Sequence, residues 1–464
     1  MTTALVQAWR DRLQGPSTLP ANSTPSVLTA PSGGRADTLA LWAVAGAVAA
    51  VALLNPKLPG HSGPADVLMV GAILVVVLWA IARRAAWRLP FALGVTGYLA
   101  TGLLASMTSA QPTQGLTAVL QEVFLFLWCA AVATVIRTPA ELAVVLRAWA
   151  VSAVGWAALL VFAVSAHLHS IAGTGDRLLP GSSVLQSGGG FRSRLFFDHP
   201  NMAGNYYMIA VFILIASGYP RRLWLRVLCV LVLLSAMVVA GSNAALLSIA
   251  GGGLLTAFLH IRVRAGLVKA TAVVGVVAVL AGSVAAFVVP PVLDSAQQSS
   301  IRLIHDTLGR TNRSAAKRQS LFDSQIKLYR EGNLVGIGPN GTQDVLSAQA
   351  APEVKEAHND YLGTLVERGP FGLLALFAII AAVIARCVAF TCRPLPPRLA
   401  AAVPVPAALA GACLAFAITA FTHEVLHYRW LWTLFGLVAA LHLLVRRETG
   451  IFASGAAKPQ LQET

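Results

Sequence analysis

Apolar runs close to 20 residues long recur from one end of this chain to the other. A helix needs about 20 such residues to cross the roughly 30 Å of hydrocarbon in a bilayer. Unpaired backbone groups are too costly in lipid, so a crossing segment is either a helix or part of a closed barrel. The strict alternation of barrel strands is missing here. The chain therefore reads as all-α, a polytopic helical membrane protein. Twelve stretches qualify as spans: Leu39–Leu54, Val67–Ile81, Leu89–Met107, Leu116–Ile136, Leu142–Ala166, Asn201–Ser217, Leu223–Ala240, Ala244–His260, Val268–Val289, Pro370–Phe390, Pro404–Thr422 and Trp430–Val445. Only 11% of the 464 residues are charged, against about 25% in a soluble domain.

The basic residues give these spans a direction. Alternate connections carry Arg83, Arg84 and Arg88; Arg137; Arg221, Arg222 and Arg226; Arg262, Arg264 and Lys269; Arg386, Arg393 and Arg398; and Arg446 with Arg447. The intervening short connections, Ser109–Gly115 and Gly241–Asn243, carry no charge. Positive charge gathers on the cytoplasmic side, so both termini are expected in the cytoplasm. The net charge of +15 is then an orientation signal with a secondary use in contact with anionic lipids, not a nucleic-acid footprint. Residues 1–37 are polar, without the apolar core of a signal peptide, and read as a cytoplasmic tail. Residues 38–446 form the membrane domain and 447–464 a second cytoplasmic tail. The five cysteines, Cys129, Cys229, Cys387, Cys392 and Cys413, lie in or beside apolar runs and imply neither a disulfide framework nor a zinc site.

Two outer connections are long, 167–200 and 290–369. Loops of this length are usually functional or disordered. The second is patterned. Asn312 is placed to cap a helix from Arg313 to Arg330, with Leu321, Phe322, Gln325, Ile326 and Tyr329 on one face. A turn follows at Gly336–Gly341, then a short helix from His358 to Glu367, then a break at Gly369–Pro370.

Four polar clusters fall on the outer side. They are Arg192, Arg194, Asp198, His199 and Asn201; Arg313, Lys317 and Arg318; His358, Asn359 and Asp360; and His423, Glu424, His427 and Arg429. Arginine matches a diphosphate because its planar fork donates two parallel hydrogen bonds. Histidine takes a proton near neutral pH. Together, at a membrane face, they suit a lipid diphosphate-linked sugar donor. The acidic residues lack magnesium or calcium spacing, and nothing demands a cofactor.

Plainer readings stand beside each cluster. The Arg313, Lys317 and Arg318 group also fits a solvated helix face or lipid headgroup contact. Arg192 and Arg194 fit snorkelling at the membrane edge. His199 fits a turn, and His358 an ordinary helix start. His423 and His427, four apart, lack a third metal ligand and fit interfacial positions better. Glu424 has the stronger functional claim, because acids at membrane depth are costly and usually paired.

The order of motifs resembles the O-antigen ligase and O-antigen polymerase superfamily. A Phe-x-His-Pro-Asn element opens one span and Gly-Ser-x-Ala-Ala another. An arginine-bearing helix leads into Gly-Ile-Gly-Pro-Asn-Gly, then His-Asn-x-Tyr-Leu, then Glu-x-Gly-x-x-Gly. The likeness covers Arg192 to Leu444. It implies a GT-C-like membrane enzyme with a large helical periplasmic loop, acting as a metal-independent inverting glycosyltransferase. The donor would be an undecaprenyl diphosphate-linked glycan at the periplasmic face of the inner membrane. The acceptor would be lipid A–core in a ligase or a growing polysaccharide in a polymerase. By position, His358 matches the proposed catalytic histidine, Arg318 the helix arginine, and Arg192 or Arg194 the arginine before His-Pro-Asn. Gly336 and Gly338 match the turn. Where the family commonly carries Ser-Arg, this chain has Ser242-Asn243, and Asn243 supplies hydrogen bonds without charge. Arg194 and Arg429 are placed to compensate, and Asn201, Arg313, Lys317, Asn359 and Glu424 complete the expected substrate contacts. A flippase for lipid-linked glycans is the rival from another class. It is disfavoured because the polar residues gather at one face and no internal repeat is visible.

Overall fold

The computed structural model describes residues 34–56, 62–168, 185–186, 190–191, 193–300, 311–332, 334–349 and 358–450. Most of the N-terminal tail, the last 14 residues and much of the 167–200 connection lie outside the described residues. In chain order the helices begin with α1 (Arg35–Ala49), α2 (Pro64–Ala82), α3 (Ala92–Thr108), α4 (Pro112–Val135) and α5 (Pro139–Leu168). A two-residue antiparallel pair, β1 (Leu185–Gln186) and β2 (Gly190–Phe191), comes next. Then follow α6 (Pro200–Ser217), α7 (Leu223–Ala240), α8 (Asn243–Ala265), α9 (Leu267–Phe287) and α10 (Val289–Gln297). Outside the bundle come α11 (Thr311–Glu331) and α12 (Gly341–Ala348). The chain closes with α13 (Asp360–Thr391), α14 (Pro397–Ala402), α15 (Ala407–Ala420) and α16 (Arg429–Glu448).

All twelve apolar stretches form helices, but they are not equal. Eight are long and apolar enough to cross a membrane by length and composition. The other four are shorter or more polar. α1, α3 and α15 have 15, 17 and 14 residues, which at about 1.5 Å per residue falls short of the bilayer's roughly 30 Å. α6 opens with a polar turn containing Asn201 and Asn205, and nearly every residue along it is buried. It is the central post of the bundle, enclosed by α5, α7, α8 and α15. α9 is the opposite case, with almost every side chain exposed, as a lipid-facing helix requires. α1 begins at Arg35, and Asp37 in its first turn accepts hydrogen bonds from Trp79 Nε1 (2.7 Å) and Arg83 Nη2 (2.8 Å). The start of the bundle thus takes in residues 35–37.

Small residues let α8 and α15 pack closely. A Cβ on Gly252 would strike the carbonyl of Gly411, and one on Gly411 would strike Thr256. Ser248 and Thr419 pair their hydroxyls across the same seam at 2.9 Å. With no hydrophobic drive between helices in lipid, such close contacts and hydrogen bonds supply the association.

α13 is broken inside. Gly369 has φ +66°, a conformation open to glycine but strained for other residues, and Pro370 has no N–H to give back to the preceding turn. Two carbonyls left open at the break are taken by the turn at 336–341. Ile337 N donates to Val366 O (3.1 Å) and Gly338 N to Glu367 O (3.0 Å). A Cβ on Gly336 would strike the backbone of Glu367. The turn that the sequence marks with Gly-Ile-Gly is therefore a splint on a broken helix.

The outer helices dock on the segment before this break. Leu321 and Leu328 of α11, Leu346 of α12, and Leu362 and Val366 of α13 form a small separate core. Helix α11 is described from Thr311, where the described residues resume, to Glu331, and the expected helix over Arg313 to Arg330 falls inside it. Its buried face is Leu321, Gln325 and Leu328, and Phe322, expected on that face, is exposed.

Candidate active site

Three chain segments meet at one end of the bundle, and side chains stitch them together. The first is the entry to α6. His199 is the N-cap, and its Nδ1 accepts from Asn201 N at 3.1 Å. The second is the entry to α13. Asn359 is the N-cap, its Oδ1 accepting from Tyr361 N (3.0 Å) and Leu362 N (3.1 Å). The third is the connection between α15 and α16, carrying His423, Glu424 and Arg429.

His358 sits just ahead of that cap with φ +49°. It is not the helix-start residue that the sequence reading expected. The helix begins at Asp360, and the left-handed backbone of His358 turns the chain into it. Such conformations in residues other than glycine cluster at functional sites. The imidazole of His358 lies edge to face with that of His423, ring centres 6.2 Å apart. His423 is buried, its Nδ1 faces Thr422 Oγ1 at 3.0 Å, and its Nε2 touches Asn201 Nδ2. Asp360 closes the stitch, its Oδ2 accepting from Val425 N at 2.8 Å. His423 and Asp360, which the sequence placed in its polar clusters without giving either a role, are central residues here. Their only signal was a polar side chain at the mouth of an apolar span.

The expected arginines divide by what already holds them. Arg429 makes a two-pronged pair with Asp66, Nε to Oδ1 at 2.8 Å and Nη2 to Oδ2 at 2.9 Å, tying α16 to α2. Arg194 donates to the carbonyl of Asp198 (2.8 Å), bracing the turn before α6. Arg318 is half-buried on α11, with no acid partner among the described residues. Desolvation lowers its pKa from the ordinary arginine value, yet arginine keeps its charge. It stands one turn before Leu321, which packs with Leu362 of α13. Arg192 and the side chains of Arg313 and Lys317 lie outside the described residues.

The remaining expectations fall into place around this centre. Asn243 is the first residue of α8, after the N-cap Ser242, whose Oγ accepts from Ala245 N. A Cβ on Gly204 would strike Ser242, so this turn lies against α6 one turn below Asn201. Glu424 faces His427 Nε2 at 4.0 Å and is half-buried. Asn359 spends its carbonyl oxygen on the helix cap.

An apolar groove of about 420 Å³ begins at this centre. Asp360, Tyr361 and Val425 line its mouth, and it follows α13, walled by α8, α15 and α16, as far as Thr391. Tyr361 Oη is fastened to Ala417 O at 3.0 Å, so the mouth has a fixed edge. The polar centre thus adjoins the apolar groove at Asp360 and Val425, which belong to both. That arrangement accommodates a substrate with a charged head and a hydrocarbon tail.

A second polar crossing lies farther along α13. Arg368 is buried against Glu122 of α4, its Nη1 donates to Tyr98 O (3.0 Å), and its guanidinium lies 4.1 Å from the Tyr98 ring centre. Thr342 Oγ1 donates to Glu367 Oε1 at 2.8 Å next to it. This crossing fixes the break in α13 against α3 and α4. The lone acid Glu122 in an apolar run was its sequence signal.

No curated protein matches this chain. Residues 227–377, which run from α7 across α11 and the splinting turn to the middle of α13, match the family model described as O-antigen ligase. With the ordered motifs at His358 and Gly336–Gly341 inside that match, this part of the chain is similar to the O-antigen ligase superfamily of membrane proteins.

Proposed function

We propose that this protein is a glycosyltransferase of the bacterial inner membrane, an O-antigen ligase moving a glycan from undecaprenyl diphosphate to lipid A–core. The observation that carries the reading is the junction of the His358–His423–Asn201 centre with the apolar groove. The donor's diphosphate would lie at the polar centre and its prenyl chain in the groove. Both termini would be cytoplasmic, and the centre would face the periplasm.

In this reading His358 takes the proton of an acceptor sugar hydroxyl as its oxygen attacks the anomeric carbon. The bond from that carbon to the diphosphate oxygen breaks, inverting the centre and releasing undecaprenyl diphosphate. Arg318 neutralises the charge growing on the leaving group, with Arg192 and Arg194 contributing from the approach to α6. Asn243 adds a hydrogen bond and no charge, so more of the electrostatic task falls on Arg318. The chemistry is metal-independent.

Deletion of the gene in its source bacterium tests the reading. Long glycans should accumulate on the carrier lipid, and the wild-type gene should restore their attachment. His358→Ala, expressed at the wild-type level, should leave attachment about 10²–10⁴-fold slower. Full restoration by His358→Ala would remove the catalytic role. Single repeat units on the acceptor would instead identify a polymerase. Movement of the lipid across liposomes by purified protein, without a new glycosidic bond, would identify a transporter.

A further inference from the structure

A second cavity, about 220 Å³, opens at the end of the bundle opposite the histidine centre. It lies where α8 and α13 finish and α15 begins. The charged side chains lining it are all basic. They are His260 and Arg264 at the end of α8 and Arg393 just after α13, and no Asp or Glu lines it. Both arginines are exposed, and neither pairs with an acid among the described residues. Thr391 apart, the other walls are apolar or proline, among them Val263, Phe390, Leu395 and Pro404. Leu259 and Thr391 line this cavity and also the far end of the apolar groove. The two spaces therefore adjoin.

We infer that this cavity binds an anionic glycerophospholipid, its phosphate between Arg264 and Arg393 and its acyl chains against the cavity's own apolar walls. Arginine forks match phosphate oxygens. Basic pockets between membrane helices are recurrent headgroup sites. A soluble phosphate would use the arginines and leave the apolar walls unmatched, whereas a phospholipid matches both. Basic residues placed only for orientation need no cavity. Arg221 and Arg222, at the same end of the bundle in the turn between α6 and α7, are exposed and line neither space. They serve as the internal control.

Native mass spectrometry of the purified full chain tests this without any glycan substrate, so its outcome is separate from that of the transferase reading. The protein is titrated with phosphatidylglycerol, phosphatidylcholine or inorganic phosphate. Phosphatidylglycerol should bind in preference to phosphatidylcholine. The double variant Arg264→Gln/Arg393→Gln should weaken phosphatidylglycerol binding on the order of tenfold, with an unchanged melting temperature. Arg221→Gln/Arg222→Gln should keep wild-type binding. Equal loss in both double variants, no loss in the first, or arginine-dependent binding of inorganic phosphate in place of lipid would each overturn the proposal.

Discussion

Arg368 and Arg318 are both drawn out of water on elements that pack together, yet their surroundings differ in kind. Arg368 is buried and answered on every side, by the carboxylate of Glu122, the carbonyl of Tyr98 and the face of the Tyr98 ring. Arg318 is half-buried, and no acid among the described residues answers it. Removing a guanidinium from water is costly unless partners replace the lost hydration. A fully partnered arginine is a structural joint. In the proposed reading, Arg318 keeps its donors for an anion that arrives later. Arg429, bound two-pronged to Asp66 but partly exposed, falls on the structural side of this divide.

The largest effect should come from opening the buried joint. Glu122→Ala leaves Arg368 charged and uncompensated and should destabilise the fold by about 3–5 kcal/mol, read as a lower melting temperature in detergent. A loss below about 1 kcal/mol would erase the contrast. Arg318→Gln should do the reverse. Stability should stay within about 0.5 kcal/mol, while transfer by purified protein from a lipid-linked glycan should fall roughly 10²-fold. Parallel losses of stability and transfer would make Arg318 another joint. Asp66→Asn weakens a mostly buried pair but keeps one acceptor oxygen, and should lower stability by about 1–2 kcal/mol, measured by the same melting curves. Asn359→Ala removes the cap of α13 and should cost about 1 kcal/mol, with Asn359→Asp recovering most of it. If Asn359→Ala leaves stability untouched and abolishes transfer, the side chain is a substrate contact after all.

How much of this was visible in the chain beforehand depends on range. Apolar helices are written locally, in runs of apolar residues, so all twelve were legible as helices, and so were α11 and the break at Gly369–Pro370. What the runs do not encode is depth in the bundle. α6 reads like any other span, yet its place at the centre depends on the four helices packed around it. The motif around His358 was legible as a motif, but its geometry was not. A helix start was expected, and the cap at Asn359 moved that start past the histidine. The contacts of His423 with Asn201, 222 residues away, and of Arg368 with Glu122, 246 away, are set by packing and leave only a lone polar letter in an oily run.

Pro370 and the turn at Ile337–Gly338 have a bearing on how this protein can change. Each is a defect by itself: the proline strands a carbonyl, and the turn places two amides against a helix that would ordinarily have no use for them. Together they cancel. Replacing Pro370 alone by alanine restores an amide that competes for the carbonyls the turn now holds. Altering the turn alone leaves those carbonyls bare. The two sites, more than 30 residues apart, are thereby coupled, so the cost of changing one depends on the state of the other.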